Sequence, residues 1–226
     1  MMHKKGSFLI TAGLLLIAAA LVICVYNYYD AYKAWKASMD TATQLAQMIT
    51  EEIASQPQDI PQTPQQSDVP GIEIPIFVPT IPDYLRYPEM EMPVKIINDR
   101  EYIGILDIPV LNLSLPVMST WSYPDLQISP CRYVGSVYLD NMVIAAHNYQ
   151  THFGRLKELN SGDEIIFTDV DGNIFRYTVA YQEQLQKTDV EEMQTGDWDL
   201  TLFTCTVGGA MRVTIRCDRV QEDIWG

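Results

Sequence analysis

Asp199-Leu200-Thr201-Leu202-Phe203-Thr204-Cys205 alternates apolar and polar side chains, and Arg212-Val213-Thr214-Ile215-Arg216-Cys217 does so again seven residues after the cysteine. Successive side chains of a strand point to opposite faces. Leu200 and Leu202 therefore share one face, and Thr201, Phe203 and Cys205 share the other. In the second segment Val213, Ile215 and Cys217 point one way, toward a core, while Arg212, Thr214 and Arg216 point the other way. A hairpin joining the two strands returns Arg212 to the level of Cys205, at the rim of a sheet.

Working outward, the same alternation recurs through the last 130 or so residues. YIGILDI (102–108), LNLSLPV (111–117), RYVGSVYL (132–139) and NMVIAA (141–146) read as strands. EIIFTD (164–169) joins NIFRYTVAYQEQL (173–185) through Val170-Asp171-Gly172, and Asp-Gly is a strong hairpin signal. Short helical turns fit 151–159 and the region near 189–194. About eight strands with little helix predict an all-β domain over 94–226, a closed β-barrel.

The N-terminal part is of another kind. Residues 8–26 (FLITAGLLLIAAALVICVY) carry no charge, and a helix of ~20 such residues crosses a ~30 Å hydrocarbon core. Lys4 and Lys5 precede it, and the first acid is Asp30. The positive-inside rule puts residues 1–7 in the cytoplasm as a tail and the remainder outside. A cleaved signal peptide is the alternative, but its apolar region is shorter and ends on small residues. Here Tyr26, Tyr28 and Tyr29 follow and suit an interfacial aromatic belt, so an uncleaved anchor is expected. Residues 27–55 form a juxtamembrane helix, most clearly over 30–55, free of Gly and Pro. Tyr32, Trp35, Met39, Ala42, Leu45 and Ile49 make a weak apolar stripe, expected on a solvated stalk. Nine of the chain's 13 prolines lie in 56–93. Proline fixes φ and removes a donor, so this stretch is expected to be an extended spacer.

The net charge is -14, and outside the tail 13 basic residues face 29 acidic ones. An acidic ectodomain argues against nucleic acid as a partner. Of the four cysteines, Cys24 lies in the apolar span. Cys131, Cys205 and Cys217 remain, without a CxxC or metal-ligand spacing. A Cys131–Cys217 disulfide is open in an extracytoplasmic compartment. A cysteine nucleophile needs a base or ion-pair partner distant in sequence. Of the three histidines, two lie beyond the apolar span. His147 follows the apolar strand NMVIAA and is the better candidate, whereas His152 opens a helical turn and is expected at the surface or as a cap. A metal site built on both is disfavoured, because their spacing suits neither a helix nor a strand. Asp163, Glu164, Asp169 and Asp171 leave calcium open without a clear motif, and no cofactor is expected.

Together, TLFTC followed by Arg212, NMVIAAH, and HFGRLKELNSGDEIIF (152–167) resemble the sortase family. They are similar to its TLxTC…R signature, its strand ending in the active-site histidine, and the F-x-x-L…GD segment that follows. IGILDIPVLNLSLPV is similar to the family's opening strand pair. The resemblance covers about residues 101–220. Ala146 stands where glycine commonly precedes the histidine, SPCRYVGSVYLDN lacks a Pro-Gly, the loop 186–198 is short, and no second apolar span follows Val220. No subclass is assigned.

The resemblance implies a sortase-like barrel and a membrane-anchored cysteine transpeptidase of a Gram-positive cell surface. In that reading Cys205 is the nucleophile, His147 the acid/base group, and Arg212 the oxyanion or signal-positioning cation. Thr204 is a neighbour that helps line the oxyanion site. The implied substrates are secreted surface proteins or pilins with a C-terminal LPxTG-like sorting signal. The implied acceptor is an amine of a peptidoglycan precursor or a pilin lysine. The alternatives are a cysteine endopeptidase on the same fold and a non-catalytic anchored binding barrel.

Overall fold

The computed structural model of the chain describes residues 3–55 and 81–221. Most of the proline-rich stretch, residues 56–80, lies outside them. The described part opens with one continuous helix, α1 (His3–Ser55), which joins the apolar segment and the juxtamembrane segment without a break. Its 53 residues span roughly 80 Å at 1.5 Å per residue. Among the described residues, this is the one helix long and apolar enough to cross a membrane.

A short helix α2 (Asp83–Arg86) and a nine-stranded sheet follow. The strands are β1 (Lys95–Ile97), β2 (Arg100–Ile108), β3 (Leu113–Met118), β4 (Cys131–Val134), β5 (Met142–Ala145), β6 (Glu164–Asp169), β7 (Ile174–Gln186), β8 (Leu200–Cys205) and β9 (Met211–Arg219). Helix α3 (Tyr123–Leu126) lies between β3 and β4, and α4 (Val190–Gln194) between β7 and β8. The order is β1-β2-β3-β4-β5-β8-β9-β7-β6, and β6 pairs back onto β2. Strands β2 to β9 thus close into the expected eight-stranded barrel. β1 is a short extra strand, added to β2 by a turn in which Asn98 and Asp99 are both left-handed. Segment 132–139, expected as one strand, is a strand only to Val134 and then a 3₁₀ turn over Val137–Leu139.

Local chemistry explains the closure. Where β2 meets β6, a Cβ at Gly104 would collide with the Thr168 carbonyl oxygen, so only glycine permits this approach. The β6–β7 hairpin turns through Val170-Asp171-Gly172, with Gly172 at φ 88. Asp169 is buried in this turn. It accepts from Tyr138 Oη, from the backbone N–H groups of Asp171 and Asn173, and from Asn173 Nδ2. One of the acids considered for calcium is therefore committed to the turn.

The barrel interior is filled by Leu106, Ile144, Phe167, Phe175, Leu202 and Ile215, among others. Met92 is buried in it, and Tyr84 of α2 stacks on Tyr138, so the segment before β1 packs on the barrel. A second cluster joins α1 to the outside of the barrel, where Leu45 and Ile49 meet Ile97, Tyr102, Ile105 and Met118. Strand β2 is buried continuously from Tyr102 to Leu106 because one face meets the interior and the other meets α1.

The juxtamembrane helix is therefore docked, not a solvated stalk. The buried positions are Ala34, Ser38, Thr41, Leu45 and Ile49. Tyr32, Trp35 and Met39, expected on the same stripe, face solvent. Small side chains let the helix approach the sheet closely, and large aromatic ones would hold it off. Leu45 is 0% exposed. Leu45→Ala is expected to cost about 2–5 kcal/mol, since a buried leucine is removed and its cavity relaxes only partly. The measurement is thermal unfolding together with amide exchange along 34–52. An unchanged midpoint and unchanged exchange would mean that the helix does not dock.

Candidate active site

The register of three adjacent strands builds the site. In the antiparallel β8–β9 pair, Cys205 stands opposite Arg212. In the parallel β5–β8 pair, Met142 stands beside Leu200 and Ala145 beside Phe203. Ala146 continues the pairing by donating its N–H to Phe203 O at 3.2 Å. Extended two residues past the end of β5, the same register puts the His147 backbone level with Cys205. Met142, Ile144 and Ala146 belong to the interior cluster, so alternation sends Val143, Ala145 and His147 outward, as it does Phe203 and Cys205. His147, Cys205 and Arg212 thus form a row on the outer face at one rim, with neighbouring strands about 4.8 Å apart.

Each member is held locally. Thr204 points the opposite way from Cys205 and is buried, and its hydroxyl donates to Ala146 O at 2.7 Å. It ties the strand that carries the thiol to the strand that precedes His147. Arg212 donates through Nη1 to Gly209 O and Met211 O, both at 3.1 Å, which fastens it to the β8–β9 loop. The backbone of His147 is fixed by the loop after β5, where Phe153 N–H donates to His147 O at 3.1 Å. Phe153 and Leu156 in turn are fully buried in the core.

The three thiols of the barrel differ sharply. Cys205 is partly exposed, whereas Cys131 and Cys217 are buried free thiols. Cys131 lies in the cluster under α1 and Cys217 in the barrel interior, so the possible disulfide between them is not formed. Burial, with Asp125 adding to it, pushes the Cys131 thiol up to about 12. Burial and the neighbouring Asp218 also raise that of Cys217, against Arg216. Both are poor nucleophiles near neutral pH.

The histidines also differ, and one expectation is corrected. His152 is neither on the surface nor a cap. It is 0% exposed, and neither ring nitrogen has a hydrogen-bond partner among the described residues. Burial first, then the charge of His147, lowers its pKa to about 4. The loop folds inward because Gly154 leaves no room for a Cβ against Asn148 O and Tyr149. His147 is half-buried; burial lowers its pKa, and the Asp30 carboxylate opposes that shift. Tyr149 stands against both rings, with centroids 5.1 Å from His147 and 5.5 Å from His152. Among the described residues no group of three His, Cys, Asp or Glu side chains is arranged to hold a metal ion.

Residues absent from the sequence reading border the row. Phe203 meets Tyr133 edge to face at 5.3 Å, and Tyr133 meets Trp121 at 5.4 Å. Beside them a cavity of about 460 Å³ is lined by Ser119, Trp121, Arg132, Tyr133 and Gly135, among others. Alternation marked Phe203 as sharing the face of Cys205, but no local signal brings Trp121 and Tyr133 there. Away from the rim, the same outer face is covered. Arg216, expected on an open polar face, is 3% exposed. It pairs with Glu183 at 2.7 Å and donates to Thr201 Oγ1 and Met193 O, which pins α4 over β8 and β9.

Residues 106–220, slightly more than half of the chain, match the sortase domain model, and the chain belongs to the sortase family. Among solved structures, sortase A from Corynebacterium diphtheriae is 23% identical, with a TM-score of 0.49, over 56% of this chain and 64% of that one. Sortase C1 from Streptococcus agalactiae is 26% identical, with a TM-score of 0.49, over 57% of this chain and 72% of that one. Clostridium perfringens sortase C, solved with the C-terminal cell wall sorting motif, is 22% identical, with a TM-score of 0.47, over 54% and 71%. The chain thus spans less than two thirds of the length of the Corynebacterium diphtheriae protein. No curated protein matches the chain.

Proposed function

We propose that this chain is a membrane-anchored cysteine transpeptidase that cuts an LPxTG-like sorting signal and transfers the cut protein to an amine. The observation that carries this reading is the rim row of His147, Cys205 and Arg212, which includes the one accessible thiol among the described ectodomain cysteines. Family membership supports the reaction class.

The Cys205 thiolate attacks the scissile carbonyl carbon, and the carbonyl electrons move to oxygen. Arg212 offers a fixed cation to that oxyanion or to the signal peptide. The C–N bond breaks as His147 gives its proton to the leaving amine, leaving a thioester on Cys205. An incoming amine then attacks the thioester and yields its proton to His147. The new C–N bond forms, and the thiolate departs. Thr204 enters as the tie between the strands of Cys205 and His147.

The reactive form is thiolate with imidazolium. Near neutral pH this pair is a minority form, because a thiol in water is mostly protonated there and an imidazole mostly neutral. The burial of His147 works against the pair and Asp30 works for it. A slow reaction follows. Lys4 and Lys5 ahead of the apolar span support a cytoplasmic N-terminus with the barrel outside, on the side of secreted surface proteins, pilins and peptidoglycan precursors.

The test uses the full chain in detergent micelles, since α1 and the segment before β1 both pack on the barrel. Incubation with LPxTG-like peptides and a panel of amines, read by mass spectrometry, is expected to give amide products joined to the cut signal. Hydrolysed peptide alone, whatever amine is supplied, would make the chain an endopeptidase. No cleavage of any peptide would favour the binding barrel.

A further inference from the structure

Helix α1 reaches the candidate site itself. Tyr149 Oη donates to Asp30 Oδ2 at 2.8 Å, across 119 residues of sequence. The Tyr149 ring lies 5.1 Å from the His147 ring, at 34° between planes. The ring that stands against the His147 imidazole is that of Tyr149, and beneath Tyr149 the buried His152 has no hydrogen-bond partner for either ring nitrogen among the described residues. The ring wall supplied by Tyr149 is thus what fixes His147, and Asp30 is what fixes Tyr149.

We propose that Asp30 is a positioning residue for His147: it holds Tyr149 against the imidazole and sets a negative charge facing it, so the first turn of α1 beyond the apolar span completes the active site. This rests on the catalytic reading of His147 and Cys205. Asp30 lies four residues past Tyr26, about 6 Å along a helix. The acid/base group is therefore assembled only when the anchoring helix is docked.

The charged and titratable groups around His147 are few. Helix α1 brings Asp30, with Tyr26 facing Tyr149. The loop after β5 brings Tyr149 and His152, and across the sheet stand Cys205 and Arg212. Asp30 is the acid that favours the imidazolium. When thiolate and imidazolium together are the minority form, their population is level between the two pKa values, and that level falls tenfold for each unit that separates them. Removing the Asp30 charge lowers the pKa of His147. It therefore moves the acid limb of the rate profile to lower pH and reduces the maximal rate by the matching factor.

The experiment compares Asp30→Asn, Asp30→Glu, Asp30→Ala, Tyr149→Phe and the Asp30→Ala/Tyr149→Phe double variant in the full chain in micelles. Asp40→Asn, on the exposed side of α1, is the charge control. Two readouts are taken across pH: transfer to an amine, and alkylation of Cys205 by iodoacetamide, which needs no substrate. Asp30→Asn is expected to lower transfer and near-neutral alkylation by roughly three- to tenfold, with the acid limb moved down by about half to one pH unit. Asp30→Glu restores both, and the double variant falls no further than the worse single one. A lower transfer rate with an unmoved acid limb in both readouts would overturn the proposal, as would faster transfer, the mark of a helix that covers the site. A shifted alkylation profile in a chain that transfers nothing would keep the Asp30 inference and sink the transpeptidase reading.

Discussion

Cys205→Ala is expected to bring transfer down to background, a fall of roughly 10⁴-fold or more, as removal of a covalent nucleophile does. The argument is one of access and charge as much as of identity. Cys205 ends β8 on the outer face, opposite Arg212 and beside the register position of His147. No other described thiol of the barrel can substitute. Cys131 and Cys217 are 0% exposed, and burial pushes both thiols up. The variant should fold normally, because Cys205 is partly exposed and its strand is held by Thr204 and the β9 ladder. Transfer is followed by mass spectrometry of the joined product. Transfer surviving in Cys205→Ala would place the nucleophile elsewhere.

His147→Ala is expected to cost about 10²–10⁴-fold in transfer, the usual worth of a positioned acid/base group. The informative partner is His152→Leu. Leucine fills a similar space and removes two buried nitrogens that have no partner among the described residues, so transfer per folded molecule should stay within a few-fold. The pair also separates chemistry from stability. The folded pKa of His152, about 4, lies below its ordinary value near 6.5. The unfolded chain therefore binds the additional proton between those values. The stability this neutral histidine supports is full above about 6.5 and is lost as pH falls toward about 4. Denaturant unfolding across pH 4–7 should show that loss in the native chain and a flatter profile in His152→Leu. Equal loss of transfer in both variants would mean that the acid/base assignment is wrong.

What was legible in the sequence was whatever obeys a local period. Strict alternation in 199–205 and 212–217 set the faces of Cys205, Arg212 and Cys217, and the register agrees. NMVIAA ending in His147 was legible as a continuous apolar run that stops at an imidazole. Closure of the barrel was predicted from strand number, but the residue that permits it, Gly104, carries meaning only once β6 lies against it. Polarity misled at His152 and Asp169, because compact turns bury polar groups that composition assigns to solvent. The docked face of α1 was missed because a period search weights apolarity, whereas close packing there selected Ala34, Ser38 and Thr41. Asp30 and Tyr149 were both visible, and nothing local connects residues so far apart in the chain.

The most direct measurement traps the covalent intermediate. The full chain is treated with a sorting-signal analogue that carries a thiol-reactive group at the scissile position, and the adduct is mapped by peptide mass spectrometry. One adduct per chain on Cys205 is predicted, absent in Cys205→Ala, and formed more slowly in His147→Ala. An adduct on Cys131 or Cys217 that persists in Cys205→Ala, together with retained transfer, would contradict the account.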